Sequence, residues 1–156
     1  MKRGDVVRCR SLGEVGERVL APDLLSKAGF EKIENLNEKY GSNYPFADIY
    51  AERDGKRYVL SVKTRNKYTN HGKINDRYKL DNPDKSKEVS TRFGAVPAFL
   101  TISIEADRNI YSGYFGEISM LRKDTGVPMR NPDEDYECLG KNVKGEFDLS
   151  KFTNAH

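Results

Sequence analysis

The sequence predicts an α/β protein: a mixed central sheet flanked by helices, with elements running helix, three strands, helix, two strands. Three observations carry this. Apolar residues near the start recur at helical spacing. Two alternating stretches then meet at an Asp-Gly turn. Finally, a short helical segment separates two strand-like stretches, and a helix crossing between two strands makes them parallel.

Residues 1 to 10 read as a lead-in, with Asp5-Val6-Val7-Arg8-Cys9 forming a small strand or a docked tail. From Gly13 to Gly29, Val15, Val19, Leu20, Leu24, Leu25 and Ala28 (with Leu12 just ahead) follow helical spacing, and Gly29 supplies the stop. Pro22 interrupts that pattern, because proline removes a backbone donor; the helix kinks there or restarts with Pro22 in its first turn. The alternation of Glu31 to Asn37 predicts the first strand, followed by a polar loop to Pro45.

The central stretch is Phe46 to Lys63. Asp54-Gly55 is the strongest short-range hairpin signal and joins two strands. Side chains alternate faces along a strand, so Asp48 goes with Phe46 and Tyr50, and Ser61 goes with Lys63. Thr64 to Pro83 lacks periodicity. It mixes Arg65, Lys67, Lys73, Arg77 and Lys79 with Tyr68, His71 and Tyr78, a combination suited to phosphate contact and base stacking. Asp84 to Gly94 predicts a short helix capped by Asp84 and stopped by Gly94. Val96 to Ile104 reads as a buried strand and Asn109 to Met120 as the next. From Leu121 the chain is turn-rich, and Phe147 to Phe152 reads as an edge strand or packed tail.

A chain of 156 residues fits one domain, with a core at about 13–120 and a C-terminal extension at 121–156. Charged residues make up 33% and no stretch has the apolar length of a membrane span, so a polar, cytoplasmic protein is expected. Cys9 and Cys138 match no zinc or redox spacing. Charge is unevenly placed: Arg53 to Arg92 holds 12 basic and 5 acidic residues, against 15 and 19 elsewhere. Such a basic block suits a polyanion.

The pattern Asp48, hairpin, Ser61-Val62-Lys63 resembles the PD-(D/E)XK nuclease core, in which a strand acid and an acid-x-Lys on the next strand meet at one metal site. Ala47 stands where that family usually has proline, and Ser61 where it usually has Glu, Asp or Gln. Gly16-Glu17-Arg18, followed by Leu24-Leu25 and Gly29-Phe30, resembles the first helix of the family's resolvases, which often carries a glutamate; Glu14 is the competing acid, one turn earlier. The element order is similar to the restriction-endonuclease-like αβββαβ core. Three literal Pro-Asp pairs, at 22–23, 83–84 and 132–133, open no hairpin leading to a lysine.

The resemblance implies a metal-dependent DNA endonuclease of resolvase, repair or defence type, using Mg²⁺ or Mn²⁺. It implies Asp48 and Glu17 as ligands with a backbone carbonyl near Val62, and Lys63 stabilising developing charge. Ser61 supplies no charged ligand. One branch of the family has Ser-x-Lys with a glutamate from the next helix, which here points to Glu88, with Asp76 and Asp81 as other acids downstream. DNA is the implied partner, and a small nuclease that cuts both strands would form a homodimer. Two other readings stand beside this one: a DNA-binding module with a decayed site, and an accessory protein without a nucleic-acid role.

Overall fold

The computed structural model describes residues 9–41, 43–122 and 126–153; most of the N-terminal lead-in lies outside them. The chain opens with a helical rod in three parts: α1 (Leu12–Val15), a π-helical turn (Gly16–Leu20) and α2 (Ala21–Lys27). The predicted helix is therefore present, with its irregularity placed just before Pro22. The amide of Ala21 reaches back five residues to the carbonyl of Gly16, so the rod widens by one residue as Pro22 withdraws a donor. Ser11 caps its start by accepting from the Glu14 amide.

β1 (Glu31–Asn35) is two residues shorter than expected. Asn35 accepts from the amide of Glu38 and so caps a short helix, α3 (Leu36–Tyr40). β2 (Ile49–Arg53) and β3 (Lys56–Asn66) form the predicted hairpin. Its turn residues Asp54 and Gly55 have φ of 53° and 77°, the two positive values that a two-residue hairpin turn requires. α4 (Ser86–Phe93) ends at Gly94 as predicted. Asp84 does not cap it, because a 3₁₀ turn over Pro83–Lys85 precedes the helix. β5 (Val96–Glu105) then lies parallel to β3, and β6 (Ile110–Glu117) returns antiparallel.

β8 (Glu137–Lys144) completes a six-stranded sheet in the order β1-β2-β3-β5-β6-β8. It lies in the stretch read as turn-rich, and its exposed, Lys- and Asn-bearing sequence belongs to an edge strand. The sheet curls far enough for Arg53 on β2 to make two 2.7 Å bonds to Glu137 on β8. Within the non-periodic stretch, β4 (Arg77–Lys79) pairs with β7 (Gly126–Pro128) as a separate two-stranded ribbon. A four-residue helix, α5 (Pro132–Asp135), precedes β8, and the tail ends in α6 (Ser150–Thr153) with Leu149 and Phe152 buried. No described helix is long and apolar enough to cross a membrane.

Each face of the sheet has its own core. Leu60 and Val62 of β3, with Leu100 and Ile102 of β5, pack under the first helical rod through Leu20, Leu24 and Leu25. The opposite face packs Val59 and Phe99 against Tyr78, Leu80, Val89, Val127 and Met129, from the ribbon and α4. The site residues lie where this second face runs out of apolar cover.

Candidate active site

Asp48 sits one residue before β2, where the hairpin ladder stops. Its amide still donates to the carbonyl of Leu60 (2.8 Å). One step further along β3, the Val62 amide has lost its backbone partner, because the incoming chain peels away through a tight turn: Ala47 donates to the carbonyl of Pro45, and Phe46 has φ of 62°. A positive φ at a bulky residue is costly, and such strain clusters at functional positions. Buried Phe46 anchors the turn in the second core. The freed Val62 amide donates instead to Asp48 Oδ2 at 2.8 Å.

The other oxygen, Asp48 Oδ1, accepts from Asn37 Nδ2 at 3.0 Å, and the same nitrogen donates to Glu17 Oε1 at 2.8 Å. One amide thus joins acids from the π turn and the hairpin. Asn37 is itself held, since its Oδ1 accepts from the Tyr44 amide at 2.7 Å. Tyr44 is tied in turn to α4 by a hydroxyl that accepts from Arg92 (2.7 Å) and by an edge contact with Phe93. Burial pushes the Asp48 carboxyl up to about 6, and nearby Glu17 adds to the rise. The Val62 and Asn37 hydrogen bonds and the Lys63 charge oppose it without cancelling it.

Glu17 comes close because the π turn lies almost on the sheet. A Cβ added to Gly16 would stand 1.7 Å from Thr64 Oγ1, so at that contact only glycine fits. Lys63 is buried on the opposite face of β3 from Thr64, and its ammonium pairs with exposed Asp81. Ser61, on the same face as Lys63, is 1% exposed, and its hydroxyl has no hydrogen-bond partner.

Of the predicted residues, Asp48, Glu17 and Val62 come together, with Val62 contributing its amide to Asp48. Lys63 and Ser61 follow on the same strand. Glu88 does not join them. It lies on the exposed side of α4, paired with Lys85 and Arg92 one turn away on either side, because a helical carboxylate meets cations at i−3 and i+4 more readily than a site across the chain. Asp76 pairs with Arg130, and among the acids weighed downstream Asp81 is the one that reaches Lys63. Glu14 stays in the first helical turn. Asn37 was missed: it lay inside a predicted strand, and an uncharged amide gives no ligand signal in one sequence.

The predicted DNA-contacting residues lie on one continuous stretch. Arg65 is the exposed residue that follows the buried run of β3, Lys67 stacks over Tyr68 (5.5 Å), Lys73 closes a small turn by accepting from the Thr69 amide, and Arg77 and Lys79 flank buried Tyr78 on β4. Arg53, at the start of the basic block, is committed to Glu137.

Two carboxylates joined through one nitrogen, beside a buried unpartnered hydroxyl, form a hard-oxygen donor set that suits a divalent cation retaining part of its water. Among the described residues no third His, Cys, Asp or Glu completes a cluster with them.

In three dimensions the chain is similar to Hjc, a Holliday junction resolvase from the archaeal hyperthermophile Archaeoglobus fulgidus. The TM-score is 0.56 at 22% identity, over 80% of this chain and 95% of that one. The two share a fold. None of the protein-family models matches the sequence, and no curated protein does. The predicted mixed α/β architecture is thus present and is shared with that protein.

Proposed function

We propose that this chain is a divalent-metal-dependent DNA endonuclease of resolvase type. The observation that carries the reading is the junction of Asp48 and Glu17 through Asn37, one residue ahead of the hairpin strand whose partner carries Lys63. Asp48 and Glu17 would hold the cation, and the unpartnered hydroxyl of Ser61, the residue before Val62 on β3, would serve a bound water. A divalent cation at such a site neutralises phosphate charge and lowers the pKa of an attacking water. Lys63, largely desolvated, stabilises negative charge developing on the phosphate. Asn37 orients both carboxylates, and Tyr44 fixes Asn37. Asp48 ligates only when ionised, and in the metal-free site its carboxyl is pushed up to about 6, so affinity for the cation weakens as pH drops below that value.

Ser61 favours a second reading. Without a charged residue at that position, the site could bind DNA and not cut it. One experiment separates the two: incubation of labelled linear, single-stranded and four-way DNA with Mg²⁺ or Mn²⁺, alongside Asp48→Ala and Lys63→Ala. Cleavage by the parent, lowered at least about a hundredfold in both variants, supports the nuclease. Salt-sensitive binding without cleavage supports the binding module. A nuclease that cuts both arms of a junction acts as a pair of copies, which is measured by sedimentation.

A further inference from the structure

A cleft of about 250 Å³ opens on the face of the sheet that also carries Lys63. Tyr68, Ile74, Asn75, Tyr114, Met129 and Lys141 line it. The sheet register places it. Lys63 stands opposite Thr101, and Thr101 opposite Tyr114, so Lys63 and Tyr114 occupy one row on one face, about 10 Å apart at two strand spacings. Met129 sits over the residue between them, accepting from the Thr101 hydroxyl. The β4–β7 ribbon therefore separates cleft from site, and Arg77 and Lys79 are exposed on it.

The cleft's chemistry selects among ligands. Its cations are already matched by acids: Lys67 by Glu105, Arg130 by Asp76, and Lys141 by Asp133 at 2.7 Å. The Tyr114 hydroxyl donates to Asp133 and accepts from Lys141. A wall so balanced attracts a phosphate weakly and suits a neutral, flat, hydrogen-bonding group. Two large side chains are left open at the mouth, Tyr68 at 45% and Ile74 at 46% exposed. They belong to one bridge, Tyr68 to Ile74, and so sit side by side. The volume is below the roughly 300–1,000 Å³ of pockets for drug-sized ligands and matches a small ring system.

We propose that this cleft receives one unpaired nucleobase of a DNA strand whose backbone crosses Arg77 and Lys79 toward Lys63. Tyr68 supplies the stacking face, Ile74 closes the mouth, and Asn75 and the Tyr114–Asp133–Lys141 group offer hydrogen bonds to the base edge. The inference rests on the DNA-nuclease reading and adds to it a preference for strands with a base out of the helix over intact duplex.

The test is binding of the full chain in EDTA, so that nothing is cut. A labelled duplex with a single bulged adenine is compared by anisotropy with the fully paired duplex, and 2-aminopurine at the bulge reports stacking by its emission. The bulged duplex is expected to bind about tenfold more tightly, the scale of one base–aromatic stack, with the emission quenched. Tyr68→Ala should bring the two affinities together and abolish the quench, and Tyr68→Phe should retain both. Ile74→Ser should weaken the preference, with circular dichroism confirming that each variant folds. Equal, salt-sensitive binding of both duplexes, or a preference that survives Tyr68→Ala, overturns this inference and leaves the nuclease reading standing. No DNA binding in EDTA, and none when Ca²⁺ replaces it, overturns both.

Discussion

The two faces of β3 present opposite solutions to burial. Leu60 and Val62 point under the first helical rod, where each side chain meets apolar partners and the backbone of the π turn sits against Thr64. Ser61 and Lys63, between and beyond them, point to the other face and are almost as deeply buried, yet a hydroxyl there lacks a partner and an ammonium reaches out to an exposed acid. The packed face leaves one hydroxyl unpartnered as well, Thr64 under Gly16, but only the other face adds a buried ammonium. That contrast teaches which residues hold the fold and which are tolerated for chemistry.

Breaking the packed face should have the largest effect on folding. Leu60→Ala removes a side chain with no exposed surface and should cost about 2–5 kcal/mol in urea unfolding. Gly16→Ala forces a Cβ onto Thr64. It should cost about 1–3 kcal/mol, and because it also lifts Glu17 off the sheet, it should weaken Mn²⁺ binding as well. A loss of stability with metal affinity unchanged would separate Gly16 from the site.

The polar face should show itself in pH dependence. The Asp48 carboxyl has its native value raised from 3.8 to about 6, so between those values the native state binds more protons than the unfolded one. Stability must then fall as pH rises through that window and stay lower above it, by on the order of 3 kcal/mol. Asp48→Asn should flatten this slope, and titration of the carboxyl by NMR should give the same midpoint. Asn37→Ala removes a hydrogen bond that holds the value down while leaving Glu17 nearby, so the same titration should move further up. Ser61→Ala should have the smallest effect on folding: an unpartnered buried hydroxyl is removed, and stability should be unchanged or higher by about 1 kcal/mol. A marked loss there would mean that the hydroxyl has a partner in solution.

Much of the architecture was legible in the residues. The Asp54-Gly55 turn, the apolar spacing of the first helix, the stop at Gly94 and the apolar run of Val96 to Ile104 are local signals, read by period and by turn chemistry alone. The pairing of Asp48 with a Ser-x-Lys strand was visible for the same reason, since a two-residue turn fixes register. What escaped depended on neighbours. The edge strand β8 is polar along most of its length and is defined by pairing with β6. Asn37 carries no charge, and its role exists only because a π turn and a hairpin end come within reach of one amide. Glu88 looked like the missing acid by position in the chain, and its helix turns it to solvent.

By itself, then, the sequence determined the order of elements, the hairpin and its register, and the basic block that follows, because these depend on residues a few positions apart. The tertiary structure decided which acids meet, that the Ser61 and Thr64 hydroxyls are left unpartnered, and that the ribbon β4–β7 stands between Lys63 and a cleft. Those are contacts between segments distant in the chain, set by how the sheet curls and how closely glycine lets a helix approach it.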